Sequence, residues 1–242
     1  MKVAEQIREK IKSIPESEPF GYADLGIAPA DFVSAAKAIE RLQKNGTINK
    51  LSKGVFYKPK MSIFGALPPD YNSILKNYLY KDGKRVGYIT GGVLYNQLNL
   101  TTQNYFRTQI ATNRSRKKID ISWLKTNSVK AYAEVTEENY RLLGILDAIK
   151  DIKSISDSSV SKAVTILMAK IKEFKKKEIE SLIQYALLYP PRVRALLGAI
   201  IENIFNNEFN VEGLRKSLNP STTFKLGIKN NDLPTIQNWN IK

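Results

Sequence analysis

Apolar side chains recur at three- and four-residue spacing in two segments near the start of the chain, which predicts two amphipathic helices. The first covers residues 3–14 and ends before Pro15. The second begins at Pro29, a residue suited to the first turn of a helix, and ends near Asn45, where Gly46 provides a stop. Its apolar face is predicted to consist of Phe32, Ala35, Ala36, Ile39 and Leu42.

Two short β-prone segments, residues 47–51 and 55–58, follow the second helix and predict a ribbon with a turn at residues 52–54. A helix, a turn at residues 20–26 with one short helical turn inside it, a longer helix and a ribbon come in the order of a winged helix-turn-helix. In that fold the longer helix enters the major groove and the ribbon reaches phosphates. The predicted DNA-contacting residues are Ser34, Lys37, Arg41 and Lys44 on the helix and Asn49, Lys50, Ser52 and Lys53 on the ribbon. A protein-interaction module with a polar helix face is the alternative.

Residues 61–134 predict a small mixed α/β unit. Helices are expected at 71–80 and 93–98, and strands at 105–112, 118–123 and 129–134. A basic turn separates the first two of these strands and holds Arg114, Arg116 and Lys117. These cations either extend a DNA footprint through phosphate contacts or form a solvated hairpin tip.

Residues 135–242 predict a helical module, with helices at 139–149, 158–174, 177–188 and 191–205. Arg192 and Arg194 lie in the first turn of the last helix, where the helix dipole disfavours cations, so they indicate either a binding partner or an internal salt bridge. The tail from residue 219 is irregular and either wraps back on the body or is partly mobile. The predicted class is therefore α+β in three parts: 1–60, 61–134 and 135–242.

Charge favours a polyanionic partner. The chain of 242 residues has a formal net charge of +15. Residues 61–130 hold 11 basic and three acidic residues, whereas residues 1–60 hold 11 and seven. Such a balance is typical of proteins that bind DNA, RNA or an anionic membrane surface, and its uneven spread favours nucleic acid.

The absence of cysteine and histidine excludes disulfides, Cys/His zinc sites and nucleophiles activated by histidine. This composition does not exclude a nuclease that uses carboxylate side chains, and Asp120 and Glu134 are the best candidates for its catalytic carboxylates. Its expected Glu-x-Lys motif is missing because Val135 and Thr136 follow Glu134. We therefore expect no enzyme, no metal and no cofactor. The first 14 residues lack the features of a signal peptide, and the chain contains no long apolar run, so a cytoplasmic location is expected.

Several segments, in order along the chain, resemble AbiEi-type antitoxins. Residues 36–59 resemble the winged helix of that group, residues 87–103 and 110–113 its middle segment, and residues 189–198 and 218–220 its C-terminal part.

The resemblance implies the antitoxin of a type IV toxin–antitoxin system, which acts in abortive phage infection. Such a protein binds inverted repeats in its own promoter, represses its operon and neutralises a nucleotidyltransferase-type toxin. By position, the resemblance assigns DNA reading to Ser34, Lys37, Arg41, Asn49, Lys50 and Lys53, and places Arg192 and Arg194 in the antitoxin module. A stand-alone regulator or adaptor is the first alternative, and a metal-dependent nuclease is the second.

Overall fold

The computed structural model describes residues 3–63, 65–67, 69, 71–114, 120–121, 124–206 and 208–242. Internal contacts group the chain into two compact units. The first comprises Met1–Lys81 and Ile119–Lys125, and the second comprises Asp82–Lys118 and Thr126–Lys242. The sequence boundaries after residues 60 and 134 do not coincide with this division, and the three-part organisation stays a prediction.

Helices and strands both contribute to the fold, which is of the α+β class. The helices are α1 (Val3–Ser13), α2 (Phe32–Lys44), α3 (Tyr71–Leu79), α4 (Gly92–Gln97), α5 (Tyr140–Lys150), α6 (Val160–Lys172), α7 (Lys176–Ala186), α8 (Pro191–Phe205) and α9 (Glu212–Lys216), with 3-10 turns at Pro29–Asp31, Ile152–Ser154 and Pro234–Trp239. The strands are β1 (Pro19–Gly21), β2 (Asn49–Ser52), β3 (Val55–Tyr57), β4 (Lys60–Ser62), β5 (Gly65–Leu67), β6 (Tyr80–Lys81), β7 (Lys84–Arg85), β8 (Gly87–Thr90), β9 (Arg107–Thr112), β10 (Asp120–Ile121) and β11 (Leu124–Lys130).

In the first unit, α1 and α2 pack on a three-stranded antiparallel sheet in the order β1-β3-β2. Helix α1 buries Ile7 and Ile11, and α2 buries the face that contains Ala35, Ile39 and Leu42. Burial of one apolar stripe per helix is what the sequence periodicity requires. The prediction that Phe32 lies on the buried face of the helix is wrong. Its side chain is 50% exposed, because it occupies the first position of α2, outside the face that the helix buries.

The second unit is built around α5 and α8, which are buried on nearly all sides. Strand β8 pairs with β9 in antiparallel register, with Thr90 opposite Gln109, and β11 follows on the other side of β9. The predicted strand at 129–134 is wrong over most of its length, because the strand runs from Leu124 to Lys130.

The C-terminal tail wraps back on this core. Trp239 is buried against Gly198 of α8, where an ideal Cβ would lie 2.2 Å from its ring. Its indole nitrogen donates to Glu202 at 2.8 Å, and the Thr235 hydroxyl donates to the Ala199 carbonyl at 2.6 Å. A bridge between Phe224 and Ile241 closes the tail on itself. The tail is therefore part of the fold of the second unit.

Within the described part of the chain, every helix is too short or too polar to cross a lipid bilayer.

Candidate nucleic-acid interface

Helix α2 presents a polar stripe to solvent. Ser34, Lys37, Arg41 and Lys44 are all exposed and follow one another at intervals of three or four residues. That spacing puts them on one side of the helix, and the ten steps from Ser34 to Lys44 span about 15 Å. Among the described residues, Lys37 and Arg41 have no carboxylate within salt-bridge distance. The structure thus brings the four predicted helix residues together and leaves two cations free to bind an anion.

Lys44 differs from the other cations on α2 because it pairs with Glu40 one turn earlier, at 2.9 Å. The hydrogen bond and the charge of Lys44, with a smaller contribution from Arg41, lower the pKa of Glu40. Both partners of this pair are exposed, so the interaction is weak and a phosphate can displace it.

The turn between β2 and β3 carries the other predicted contacts. Lys50 and Lys53 are exposed, and Gly54 adopts the positive φ of 74° that the tight turn requires. Asn49 and Ser52 are half-buried, and the Asn49 amide donates to the Tyr57 hydroxyl at 3.3 Å across the sheet. The two lysines therefore face solvent, whereas Asn49 helps to hold the ribbon together.

A cluster of aromatic side chains connects the start of α2 to strand β3. The Tyr22 ring lies 4.8 Å from the Phe32 ring and 5.6 Å from the Phe56 ring, and the Phe20 ring lies 6.2 Å from Phe56. Such pairs add about 0.5–1.5 kcal/mol each beyond burial. The Asp24 carboxylate accepts from the Gly21 backbone at 2.7 Å and fixes the turn before α2. The start of α2 and strand β3 are thereby held against one another.

The basic turn after β9 is described only in part. Arg114 is exposed, and its backbone nitrogen donates to the Thr112 hydroxyl at 3.2 Å. Arg116 and Lys117 lie outside the described residues. In the second unit, Arg114 is the one predicted DNA-contacting residue whose position the structure describes.

Arg192 and Arg194 both donate to backbone carbonyls within the second unit. Arg192 reaches the Lys150 carbonyl at 2.8 Å, and Arg194 reaches the Ser217 carbonyl at 3.1 Å. The Nε of Arg194 is buried without a hydrogen-bond partner among the described residues. These contacts explain how cations are accommodated in the first turn of α8, because each guanidinium is directed to the end of another helical segment.

Glu134, one of the two nuclease candidates, is exposed and lies beyond the end of β11. Asp120 lies in β10, in register with Lys125 of β11. Among the described residues, no three of the Asp and Glu side chains gather into a group that could hold a metal ion.

Sequence reasoning missed a buried polar cluster around Asp147, formed by Asp147, Tyr88, Thr90, Tyr189 and Lys150 and called here the Asp147 cluster. The carboxylate is 3% exposed and accepts from Tyr88 at 2.8 Å, Thr90 at 2.7 Å, Tyr189 at 3.2 Å and Lys150 at 3.5 Å. It forms part of the wall of a cleft of about 560 Å³. A lone aspartate within the apolar run of α5 was the available sequence signal.

Three tyrosines near this carboxylate are held neutral. Burial, followed by the charge of Asp147, raises the pKa of Tyr88 and of Tyr189. Burial and the hydrogen bond to Asp151 raise the pKa of Tyr95, whose hydroxyl donates to that carboxylate at 2.7 Å. The tyrosines act as hydrogen-bond donors, and the cluster ties β8 and the segment before α8 to α5.

The geometry defines an α+β protein with a solvent-facing basic helix and ribbon in its first unit. The chain belongs to the family described as "Family of unknown function (DUF6088)", whose model matches residues 6–183. Among solved structures, it is similar to the crystal structure of RV2827C protein from Mycobacterium tuberculosis, with 11% sequence identity and a TM-score of 0.49 over 93% of this chain and 85% of that chain. Comparison with curated proteins gives no match.

Proposed function

We propose that this protein is a sequence-specific DNA-binding repressor of its own promoter and the antitoxin of a type IV toxin–antitoxin system. The observation that carries the DNA-binding part is the exposed stripe Ser34, Lys37 and Arg41 on α2, next along the chain to the exposed lysines of the β2–β3 turn. Both cations of that stripe lack an internal ion-pair partner among the described residues, so no internal salt bridge has to break before they bind a phosphate or a base.

The arrangement of the first unit supports a winged helix. Its elements follow in the order α1, β1, α2, β2 and β3, and β3 lies between β1 and β2 in the sheet. In that fold α2 is the recognition helix and the β2–β3 turn is the wing. The stripe of about 15 Å is long enough to follow a major groove about 12 Å wide.

The exposed residues divide into two roles. Ser34, Lys37 and Arg41 lie on the helix and provide a hydroxyl, an ammonium and a guanidinium for base edges; a guanidinium can bind guanine through two hydrogen bonds. Lys50 and Lys53 lie on the ribbon and serve as phosphate contacts, which fix the position on the duplex without reading its sequence.

The antitoxin part of the proposal rests on the resemblance to AbiEi-type antitoxins, and its partner is a toxin of the nucleotidyltransferase class. Co-expression tests this part separately from DNA binding. Cells that express a nucleotidyltransferase encoded beside this gene should resume growth when this protein is also expressed. If growth stays arrested while the promoter is still repressed, the protein is a stand-alone regulator.

A mobility shift on the DNA upstream of the gene tests the repressor part, with a scrambled duplex for comparison, at about 50 and about 200 mM salt. The wild type should prefer its own upstream DNA at both salt concentrations. The Lys37→Ala/Arg41→Ala variant should lose that preference, whereas Lys172→Ala/Lys177→Ala, which removes two exposed lysines from the second unit, should keep it. Equal binding of the wild type to both duplexes would show that the charge of +15 only attracts polyanions.

A further inference from the structure

The loop that leads into β9 exposes an aromatic side chain. Phe106 is 94% exposed, and its neighbours Asn104 and Arg107 also face solvent. A single exposed apolar residue needs no explanation by itself. Phe106 differs from an ordinary surface phenylalanine because it follows a loop of fixed shape and lies in a basic stretch of the sequence.

Hydrogen bonds hold the first part of the loop, residues 101–103, in a fixed shape. The Asn96 amide of α4 donates to the carbonyls of Thr101 at 3.3 Å and Gln103 at 3.0 Å. The Gln103 nitrogen in turn donates to the Thr101 hydroxyl at 3.2 Å. This part of the loop is therefore built before any ligand arrives, which lowers the entropy lost on binding.

Tyr105 anchors the last turn of the loop. Its ring occupies the space where a side chain at position 92 would lie, since an ideal Cβ on Gly92 would come within 2.3 Å of the ring carbons. Tyr105 is half-buried, whereas the neighbouring Phe106 is exposed. The last pair between β8 and β9 is Thr90 with Gln109, so Phe106 and Arg107 extend past the end of β8.

The stretch of sequence that contains the loop has a composition that fits an anionic partner. The 37 residues from 83 to 119 contain no Asp or Glu, and they hold seven Lys and Arg residues. Among those described, Arg107 is exposed beside Phe106, whereas the exposed Lys84 and Arg114 lie at the opposite end of the β8–β9 pair, where Gly87 faces Thr112. A polyanion therefore meets no acidic residue from this stretch of sequence.

We propose that Phe106 and Arg107 form a second DNA contact, carried by the second unit, which deepens the DNA-binding role proposed above and rests on it. Phe106 packs as an apolar wedge against a base step in the minor groove, and Arg107 binds in the same groove or on the adjacent phosphate. Aromatic wedges flanked by arginine and amide side chains are a recurrent means of minor-groove binding and bend the duplex.

Fluorescence anisotropy with the upstream duplex tests the proposal. Phe106→Ala should weaken binding about 5- to 100-fold, whereas Phe106→Trp should stay within about threefold of the wild type, because a ring that can stack is retained. Arg107→Ala should reduce the slope of log affinity against log salt by about one. The matched controls are Leu188→Ala and Lys172→Ala, which remove an exposed apolar residue and an exposed cation elsewhere in the second unit and should change neither quantity.

Energy transfer between dyes at the two ends of the duplex reports the bend that a wedge produces, and Phe106→Ala should abolish it. Wild-type affinity and an unchanged bend in Phe106→Ala would overturn this second contact and leave the role of α2 intact. If the wild type shows no preference for its upstream DNA but Phe106→Ala still weakens its binding to duplexes, the second contact stands and the repressor function fails. An affinity loss with Phe106→Trp equal to that with Phe106→Ala would also overturn the wedge.

Discussion

Replacing Asp147 by alanine removes the acceptor on which the Asp147 cluster depends. Its two shortest hydrogen bonds come from Thr90 at 2.7 Å and Tyr88 at 2.8 Å, and longer contacts come from Tyr189 and Lys150. After the substitution, buried hydroxyls lose an acceptor that water cannot easily replace, because the carboxylate position is 3% exposed.

The magnitude follows from the kind of groups involved. A hydrogen bond to a charged group contributes about 1.5–3 kcal/mol, and breaking a buried charge pair costs about 3–5 kcal/mol. The Lys150 side chain is 23% exposed and can recover some hydration, so the sum of all four contacts is not reached. We expect Asp147→Ala to lower the free energy of unfolding by about 3–5 kcal/mol. For a chain of this size that is a fall in Tm of about 6–20 °C.

Urea and thermal unfolding measure this loss, with two further variants for comparison. Asp147→Asn keeps the shape and one acceptor oxygen and should cost about 1–3 kcal/mol. Asp151→Asn changes a carboxylate whose side chain is 32% exposed, so it should cost no more than about 1 kcal/mol. If Asp147→Ala proved as stable as Asp151→Asn, the cluster would not be what ties β8 to α5, and the reasoning would be refuted.

Further predictions concern the second unit. Above pH 10 the three neutral tyrosines ionise only after unfolding. The free energy of unfolding should therefore fall as pH rises beyond that value, by about 1.4 kcal/mol per pH unit for each tyrosine. Tyr189→Phe should make that fall shallower in urea titrations between about pH 8 and 11. Gly92→Ala forces its Cβ into the Tyr105 ring and should cost about 1–3 kcal/mol, whereas Gly213→Ala, with nothing within 4 Å, should not destabilise. Trp239→Ala should cost about 3–5 kcal/mol in the same assay, and a loss below about 1 kcal/mol would mean that the tail is not part of the core.

Local patterns predicted several elements well. Helix α8 runs from Pro191 to Phe205, the predicted bounds, because a proline start and continuous apolar periodicity are strong signals. Strand β11 was misplaced because residues 125–128 are polar and lack clear alternation. The β4–β5 hairpin was not predicted, since it is short and exposes Met61 and Ile63 instead of alternating buried and polar positions.

The polar stripe on α2 followed from helical spacing, but the roles of some residues depended on their side-chain contacts in the folded chain. Lys44 forms a salt bridge with Glu40, and the Asn49 amide donates a hydrogen bond to the Tyr57 hydroxyl across the sheet. Asp147 accepts hydrogen bonds from residues up to 59 positions away along the chain, so only packing of the folded chain brings the Asp147 cluster together. The space beside Gly91 and Gly92 is likewise filled by residues from later in the chain, Gln109 and Tyr105.

The most direct test of the central claim is the affinity of the protein for upstream duplexes in which each base pair is changed in turn. Compared with the wild type, Arg41→Ala should lose discrimination of about 5- to 100-fold at one or two neighbouring base pairs and keep it elsewhere. Lys53→Ala should weaken binding to every duplex alike and lower the salt slope by about one. A uniform loss with Arg41→Ala, at no particular base pair, would contradict base reading by α2.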